Sequence, residues 1–232
     1  MARGSVIAVS FLLAWLLQPA PASAVVIGQK DMFEDGTTQG WVVGLLGAVH
    51  PAPPVNVPTG GPGGVDDNYL LLTAVGGVSA GNRLSVINLA QWTGDFPAAG
   101  VNAIRMDVNN LGPDDLSLRL MFADPVVGPP DDIAFSTVAV SLPAQSGWVS
   151  VLFPVALSDL TAGLGSVTDA LTGATEMRIF HSPTAGIPGP AVIVQLGVDN
   201  IQAVGVAPVP EPGTLSLVLG GLSLLAWVRR RR

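Results

Sequence analysis

The sequence predicts an all-β protein: an antiparallel β-sandwich of jelly-roll type between an N-terminal signal peptide and a C-terminal transmembrane helix. Three observations carry this. No long segment between the two ends sustains the 3.6-residue apolar period of a packed helix. Runs with a period of two recur instead, separated by clusters of Gly, Pro, Asn and Asp. The chain of 232 residues has 28 glycines, 20 prolines and no cysteine. An exported domain of this size therefore has to be held by apolar burial between sheets, without a disulfide framework.

Residues 1–24 read as a signal peptide. Arg3 gives a positive start, Val6 to Leu17 an apolar stretch too short to span a membrane, and Ala22-Ser23-Ala24 a small-residue site for signal peptidase, with Ala22 and Ala24 at the cleavage positions. Residues 25–207 form the predicted sandwich domain. Asn102 to Val108 alternates cleanly, with Ile104, Met106 and Val108 on one face. Leu116 to Phe122 does the same with Leu116, Leu118, Leu120 and Phe122. The turn formers Asn109 to Asp115 join the two runs. Further strands are expected at 25–30, 41–46, 69–74, 83–89, 133–142, 148–153, 176–181 and 192–204. Between them, His50 to Asn68 reads as a Pro- and Gly-rich surface loop, a flexible insert in the first place and a functional loop as the alternative. Ser158-Asp159-Leu160 is expected to start a short helix within 155–171.

Residues 208–232 have a different composition. Pro210-Glu211-Pro212 can continue neither a strand nor a helix. Thr214 to Val228 is an uncharged apolar run, and Arg229, Arg230, Arg231 and Arg232 close the chain. The run is shorter than the roughly 20 residues of a full span, but snorkelling arginines and an interfacial Trp227 can extend it. The arginine cluster sets the end on the cytoplasmic side as a stop, and the residues before Pro210 outside the inner membrane. A plain membrane anchor would share the apolar run and the arginines. The Pro-Glu-Pro is the additional element, and this order of parts resembles the PEP-CTERM sorting signal of bacterial exported proteins. The resemblance implies recognition of Pro210, Glu211 and Pro212 by an exosortase. It also implies a cell-surface or matrix protein associated with extracellular polysaccharide.

Of the seventeen acidic residues only Glu211 lies outside the sandwich, which keeps 16 against the five cations Lys30, Arg83, Arg105, Arg119 and Arg178. This balance argues against nucleic acid, whose phosphates need basic partners. With no cysteine and only two histidines, His50 and His181, neither a thiol nucleophile nor a three-histidine zinc site can be assembled within the chain. No serine-hydrolase elbow or phosphate loop is present. The paired acids Asp66-Asp67, Asp114-Asp115 and Asp131-Asp132 suit turns, so the expectation is a domain that is not an enzyme. A structural surface protein without a glycan ligand and a polysaccharide-active enzyme are the alternatives.

Two phrases sharpen the fold. Met32-Phe33-Glu34-Asp35-Gly36 to Trp41 looks like the opening of carbohydrate-binding-module-like jelly rolls, and Leu196 to Ile201 looks like their last strand. The resemblance implies neighbouring first and last strands, and a structural calcium ion held by Glu34, Asp35 and Asp199 with main-chain oxygens. Asp199-Asn200 could equally serve a turn or an edge. For glycan binding, a ring that stacks on a sugar and polar groups for its hydroxyls are needed. Trp92 and Asp95, in the turn-rich Gln91 to Phe96, are the candidates. Trp41 and Trp148 are expected to point into the core, which is the ordinary place for Trp92 as well.

Overall fold

The computed structural model describes residues 24–43, 50–124 and 130–205. The predicted signal peptide, with Ala22, and the predicted sorting segment with its arginine cluster lie outside the described residues, as does part of the strand expected at 41–46. In chain order the strands are β1 (Lys30–Asp31), β2 (Trp41–Val42), β3 (Val55–Val57), β4 (Tyr69–Val75), β5 (Ser85–Asn88), β6 (Val101–Asn110) and β7 (Leu116–Asp124). They continue with β8 (Asp132–Ser136), β9 (Val140–Leu142), β10 (Trp148–Pro154), β11 (Leu160–Leu164), β12 (Glu176–His181) and β13 (Ile193–Gly205), and one short helix, α1, covers Val167–Thr172. Among the described residues no helix is long and apolar enough to cross a membrane.

The strands form two antiparallel sheets. The front sheet runs β10-β6-β13-β4-β3, with β1 beside β13; the back sheet runs β11-β8-β7-β12-β5-β2, with β9 beside β7. Alternation makes the core between them. Ile104, Met106 and Val108 of β6 and Leu196 and Val198 of β13 meet Leu116, Leu118, Leu120 and Phe122 of β7, all buried. The chain's first and last strands are neighbours, with Asp31 opposite Ile201.

A carboxylate sits inside this apolar layer. Asp31 Oδ2 accepts from Trp41 Nε1 at 2.8 Å, Trp92 Nε1 at 2.7 Å and Gln91 Nε2 at 3.1 Å. Asp31 belongs to the front sheet and Trp41 to the back sheet, so the contact joins the two. Burial pushes the Asp31 carboxyl up, while the indole and amide donors oppose that shift.

Three local expectations are corrected. The run 133–142 divides into β8 and β9, which pair with different parts of β7; between them Arg119 Nη1 takes Ser136 O at 2.6 Å and Thr137 O at 2.8 Å. The 50–68 segment is not a free insert. It contains β3, and its Asn56 amide donates to Phe33 O at 2.7 Å and Thr37 O at 2.8 Å. The helix expected from Ser158 is only a single 3-10 turn, Leu157–Asp159; Leu160–Leu164 is strand β11 on β8, with Gly163 leaving room for the Phe135 ring. The helix begins later, where Ser166 caps it by accepting from Thr168 N at 3.1 Å and Asp169 N at 3.4 Å.

Asp31→Ala would leave two buried indole N–H groups without an acceptor. It is expected to lower stability in urea unfolding by about 3–5 kcal/mol, as for other broken buried charged contacts. Asp31→Asn, which keeps an acceptor oxygen, is expected to lose less.

Candidate functional site

On β6 the residues that alternate with the core-facing ones are Arg105, Asp107 and Asn109. They lie on the outer face of the front sheet. Cross-strand register places Trp148 of β10 opposite Asn109, Ser150 opposite Asp107 and Leu152 opposite Arg105. On the other side of β6, Gly197 lies opposite Asn109 and Asp199 opposite Asp107. Tyr69 begins β4, one residue before Leu70, which pairs with Val198, so its ring falls on this same face.

The two aromatic rings meet there. Trp148 and Tyr69 are half-buried and T-shaped, with centroids 5.3 Å apart and planes at 78°. Gly197 is the reason they can meet: a Cβ at that position would sit 2.8 Å from Trp148 Cη2 and 3.3 Å from Tyr69 Cδ2. The indole is also steered from above, since Trp148 Nε1 donates to Gly60 O at 2.9 Å. The Gly60 to Asp67 turn is closed in turn by Asp67, whose Oδ2 accepts from Gly63 N at 2.5 Å. The result is an aromatic step beside a polar strip of Arg105, Asp107, Asn109 and Ser150.

Next to the strip, β13 bulges between Asp199 and Gln202. Asn200 takes a left-handed conformation, φ 53°, which asparagine tolerates better than most residues. Its Nδ2 donates to Asp107 Oδ2 at 2.8 Å and to Asp199 Oδ2 at 2.9 Å. Asp199 is buried, and its Oδ1 has no hydrogen-bond partner among the described residues. Burial, joined by the nearby Asp67 and Asp107, raises its carboxyl to about 7. Two carboxyls this close, one with a raised pKa, have the composition of a glycosidase pair. The free oxygen of Asp199 is closed to solvent, however, so a glycosidic oxygen cannot reach it.

The residues nominated from sequence are placed differently. Trp92 is 0% exposed; the turn that carries it folds inward because its indole N–H reaches Asp31. Asp95 serves its own turn, accepting from Ala98 N at 2.8 Å. Neither offers a ligand platform. Trp148, expected in the core, is instead the surface ring. It does share a face with Ser150 and Leu152, but that face is the outer one, and Phe153 on the other side enters the core.

The calcium set implied by resemblance does not come together either. Among the described residues no three acidic or histidine side chains gather closely enough to hold a metal. Asp35 turns into its own loop, accepting from Thr37 N at 2.9 Å, Thr37 Oγ1 at 2.9 Å and Gln39 Nε2 at 3.3 Å. Glu34 Oε1 accepts from Asn68 N at 3.1 Å. The main-chain oxygens of Phe33 and Thr37 are met by the Asn56 amide, an N–H donor where a cation would need further oxygens.

The outer-face residues carried one sequence signal: the polar phase of the alternating strand 102–108. A polar row on a strand interior to a sheet marks a solvent-facing surface. Which aromatic ring would lie over it depended on register with β10 and β4, which periodicity does not supply.

Residues 208–232 match the PEP-CTERM protein-sorting motif, which implies export and a cell-envelope or extracellular location. No curated protein matches the sequence. Among solved structures, the chain is similar to a family 11 carbohydrate-binding module from Clostridium thermocellum in complex with a beta-1,3-1,4-mixed-linked tetrasaccharide. The identity is 14%, with 79% of this chain and 99% of that chain covered at a TM-score of 0.50. A solution structure of CtCBM11 is 16% identical over 78% of this chain and 98% of that one, at a TM-score of 0.52. An exo-beta-agarase is 12% identical and matches 80% of this chain with 26% of its own length, also at 0.52. Identities this low speak for the fold alone.

Two predictions follow from the geometry. Gly197→Val is expected to displace the Trp148 ring while the sheet persists, read as a changed indole environment in near-ultraviolet circular dichroism with an intact far-ultraviolet spectrum. For Asp199 the sign is set by its raised native pKa. The native state holds the proton more tightly than the unfolded chain, so this group's contribution to stability falls as pH rises from about 3.8 to about 7. Asp199→Asn is therefore expected to be more stable than the parent at pH 8, by at most about 4 kcal/mol, and to lose that advantage near pH 4.

The chain joins a PEP-CTERM protein-sorting motif, at residues 208–232, to a β-sandwich with the fold of carbohydrate-binding modules.

Proposed function

We propose that this is an exported cell-surface or matrix protein whose sandwich is a non-catalytic glycan-binding module, delivered through its C-terminal sorting signal. The observation that carries the binding reading is the Trp148–Tyr69 step over Gly197. Aromatic faces of this kind stack on the apolar face of a sugar ring, and a few fixed polar groups set its orientation. Arg105 and Asn109 can donate to sugar hydroxyls, Asp107 can accept, and Ser150 can do either. An open sheet face suits a length of polysaccharide chain better than a single small substrate. The buried position of the Asp199 oxygen supports binding without hydrolysis.

In this reading signal peptidase cuts after Ala24, and an exosortase recognises Pro210, Glu211 and Pro212. The apolar run 214–228 holds the chain in the inner membrane, and Arg229 to Arg232 stop transfer. The sandwich then acts at the surface, with extracellular polysaccharide as its partner.

The test is a pull-down on insoluble neutral polysaccharides, with product release measured in the same samples. Binding without release of sugars is expected. Trp148→Ala should reduce the bound fraction at least about tenfold, a loss of more than about 1.4 kcal/mol, whereas a variant at the buried Trp92 should act through stability. Retention that is indifferent to Trp148→Ala would remove this face from the account. No retention on any polysaccharide would leave a purely structural surface protein.

A further inference from the structure

The back sheet has an outer face of a different character. Arg178 and Phe180 alternate on β12 with the buried Met177 and Ile179. Phe180 lies between Ser85 of β5 and Arg119 of β7 in the register. A cavity of about 290 Å³ opens here, lined among others by Arg83, Ser85, Arg178, Phe180, His181 and Ile187. Its volume is near the lower end of the roughly 300–1,000 Å³ range of small-molecule sites, which suits one ring better than an extended chain.

The polar side chains around this cavity present donors. Arg83 uses Nε and Nη2 on a single carbonyl, Val78 O, at 3.4 and 3.0 Å. Arg178 uses Nε and Nη2 on Glu176 Oε1, both at 2.7 Å. Each arginine thus keeps its Nη1 without a partner among the described residues. His181 Nδ1 accepts from Ser117 N at 2.9 Å, so the neutral ring carries its proton on Nε2 and can donate from there. Burial lowers the His181 pKa, which favours that neutral form.

The charge balance sharpens this. The sandwich has 16 acidic residues and five basic ones, yet Arg178–Glu176 is the only ion pair among the described residues. Arg83 faces the cavity with a carbonyl partner and no carboxylate. Behind Phe180, the buried Arg119 is bound solely by main-chain oxygens, those of Ser136, Thr137, Ser182 and Pro183. Three of the five cations thus belong to the back sheet and its edge, and among the described residues Glu176 is the one carboxylate paired with any of them. Phe180, itself buried against Phe135, closes the floor of the cavity, and the exposed Ile187 supplies its accessible apolar wall.

We propose that this cavity is a second binding site, on the opposite sheet from the aromatic step, for a carboxylate-bearing sugar ring such as a uronate. The Nη1 groups left on Arg83 and Arg178 can each donate a charge-assisted hydrogen bond to a ligand carboxylate. The apolar wall takes the ring's CH face, and His181 and Ser85 serve its hydroxyls. The front face sets a single cation, Arg105, beside Asp107, so it lacks the two neighbouring guanidinium groups that this cavity offers a carboxylate. The proposal stands whether or not the front face binds glycan.

The test is an NMR titration of the full-length, detergent-solubilised protein with D-glucuronate. D-glucose serves as the neutral ring, and acetate and inorganic phosphate as anions without one. Saturable shifts of the His181 ring and the Arg178 guanidinium are expected with glucuronate, and at least about tenfold weaker binding with the other three. Arg83→Gln is expected to weaken glucuronate at least about tenfold, and Trp148→Ala to leave it unchanged. Ile187→Asp, at an exposed position, places a repelling carboxylate at the mouth and should act as Arg83→Gln does. No shifts with glucuronate, equal affinity for glucose or for phosphate, or unchanged binding in folded Arg83→Gln and Ile187→Asp would each overturn the proposal.

Discussion

One carboxylate oxygen, Asp31 Oδ2, receives the indole N–H groups of Trp41 and Trp92 and the amide of Gln91 in the interior of the sandwich. Apolar faces press two sheets together without direction, whereas this contact has one geometry and involves both. It anchors the first strand beside the last, fixes β2 against it through Trp41, and pulls the segment after β5 inward through Trp92. The cost of burying a carboxylate is offset because three donors converge on one of its oxygens. Once β1 is set against β13, the bulge of β13 at Asp199 and Asn200 follows on the same strand, and with it the polar end of the outer face.

The two outer faces differ because the strands behind them differ. On the front sheet, β6 and β13 alternate apolar core residues with Arg105, Asp107, Asn109, Gly197 and Asp199, and the missing side chain of Gly197 lets two rings from distant strands meet. On the back sheet the same alternation brings up Arg119, Arg178 and Phe180. The acidic sandwich thus keeps three of its five basic side chains, Arg83, Arg119 and Arg178, on one side. This separation gives a single fold two surfaces of different charge, and sugars with and without a carboxylate are the ligands such surfaces distinguish.

Much of this fold was legible in the chain, and for a definite reason. Strands with clean alternation, such as those around Ile104 and Leu118, declare both their extent and their inward face. The Glu176 to His181 strand was bounded by its neighbours, and the C-terminal motif is composition in fixed order. What escaped depended on three-dimensional register. Trp92 lies in a polar, turn-rich stretch, which makes it the better surface candidate of the three indoles although the core is its ordinary place, and only the position of Asp31 decides for the core; Trp148 reads as core because Leu152 shares its face. The Pro- and Gly-rich stretch concealed β3 because its order comes from the Asn56 side chain bonding to distant carbonyls. The acids grouped by resemblance, Glu34, Asp35 and Asp199, each found separate local or buried surroundings that spacing along the chain does not reveal.

Glycan binding on the front sheet depends on which indole meets the ligand. The sandwich contains three tryptophans, Trp41, Trp92 and Trp148, and their Nε1–H signals report separately in a proton–nitrogen NMR spectrum. The most direct measurement follows these three during titration with a neutral oligosaccharide. The Trp148 signal is expected to shift progressively to saturation while those of Trp41 and Trp92, held on Asp31, stay in place. Movement of Trp92 with a stationary Trp148 would contradict the assignment of the binding face, and three unmoved signals would contradict glycan binding on the front sheet.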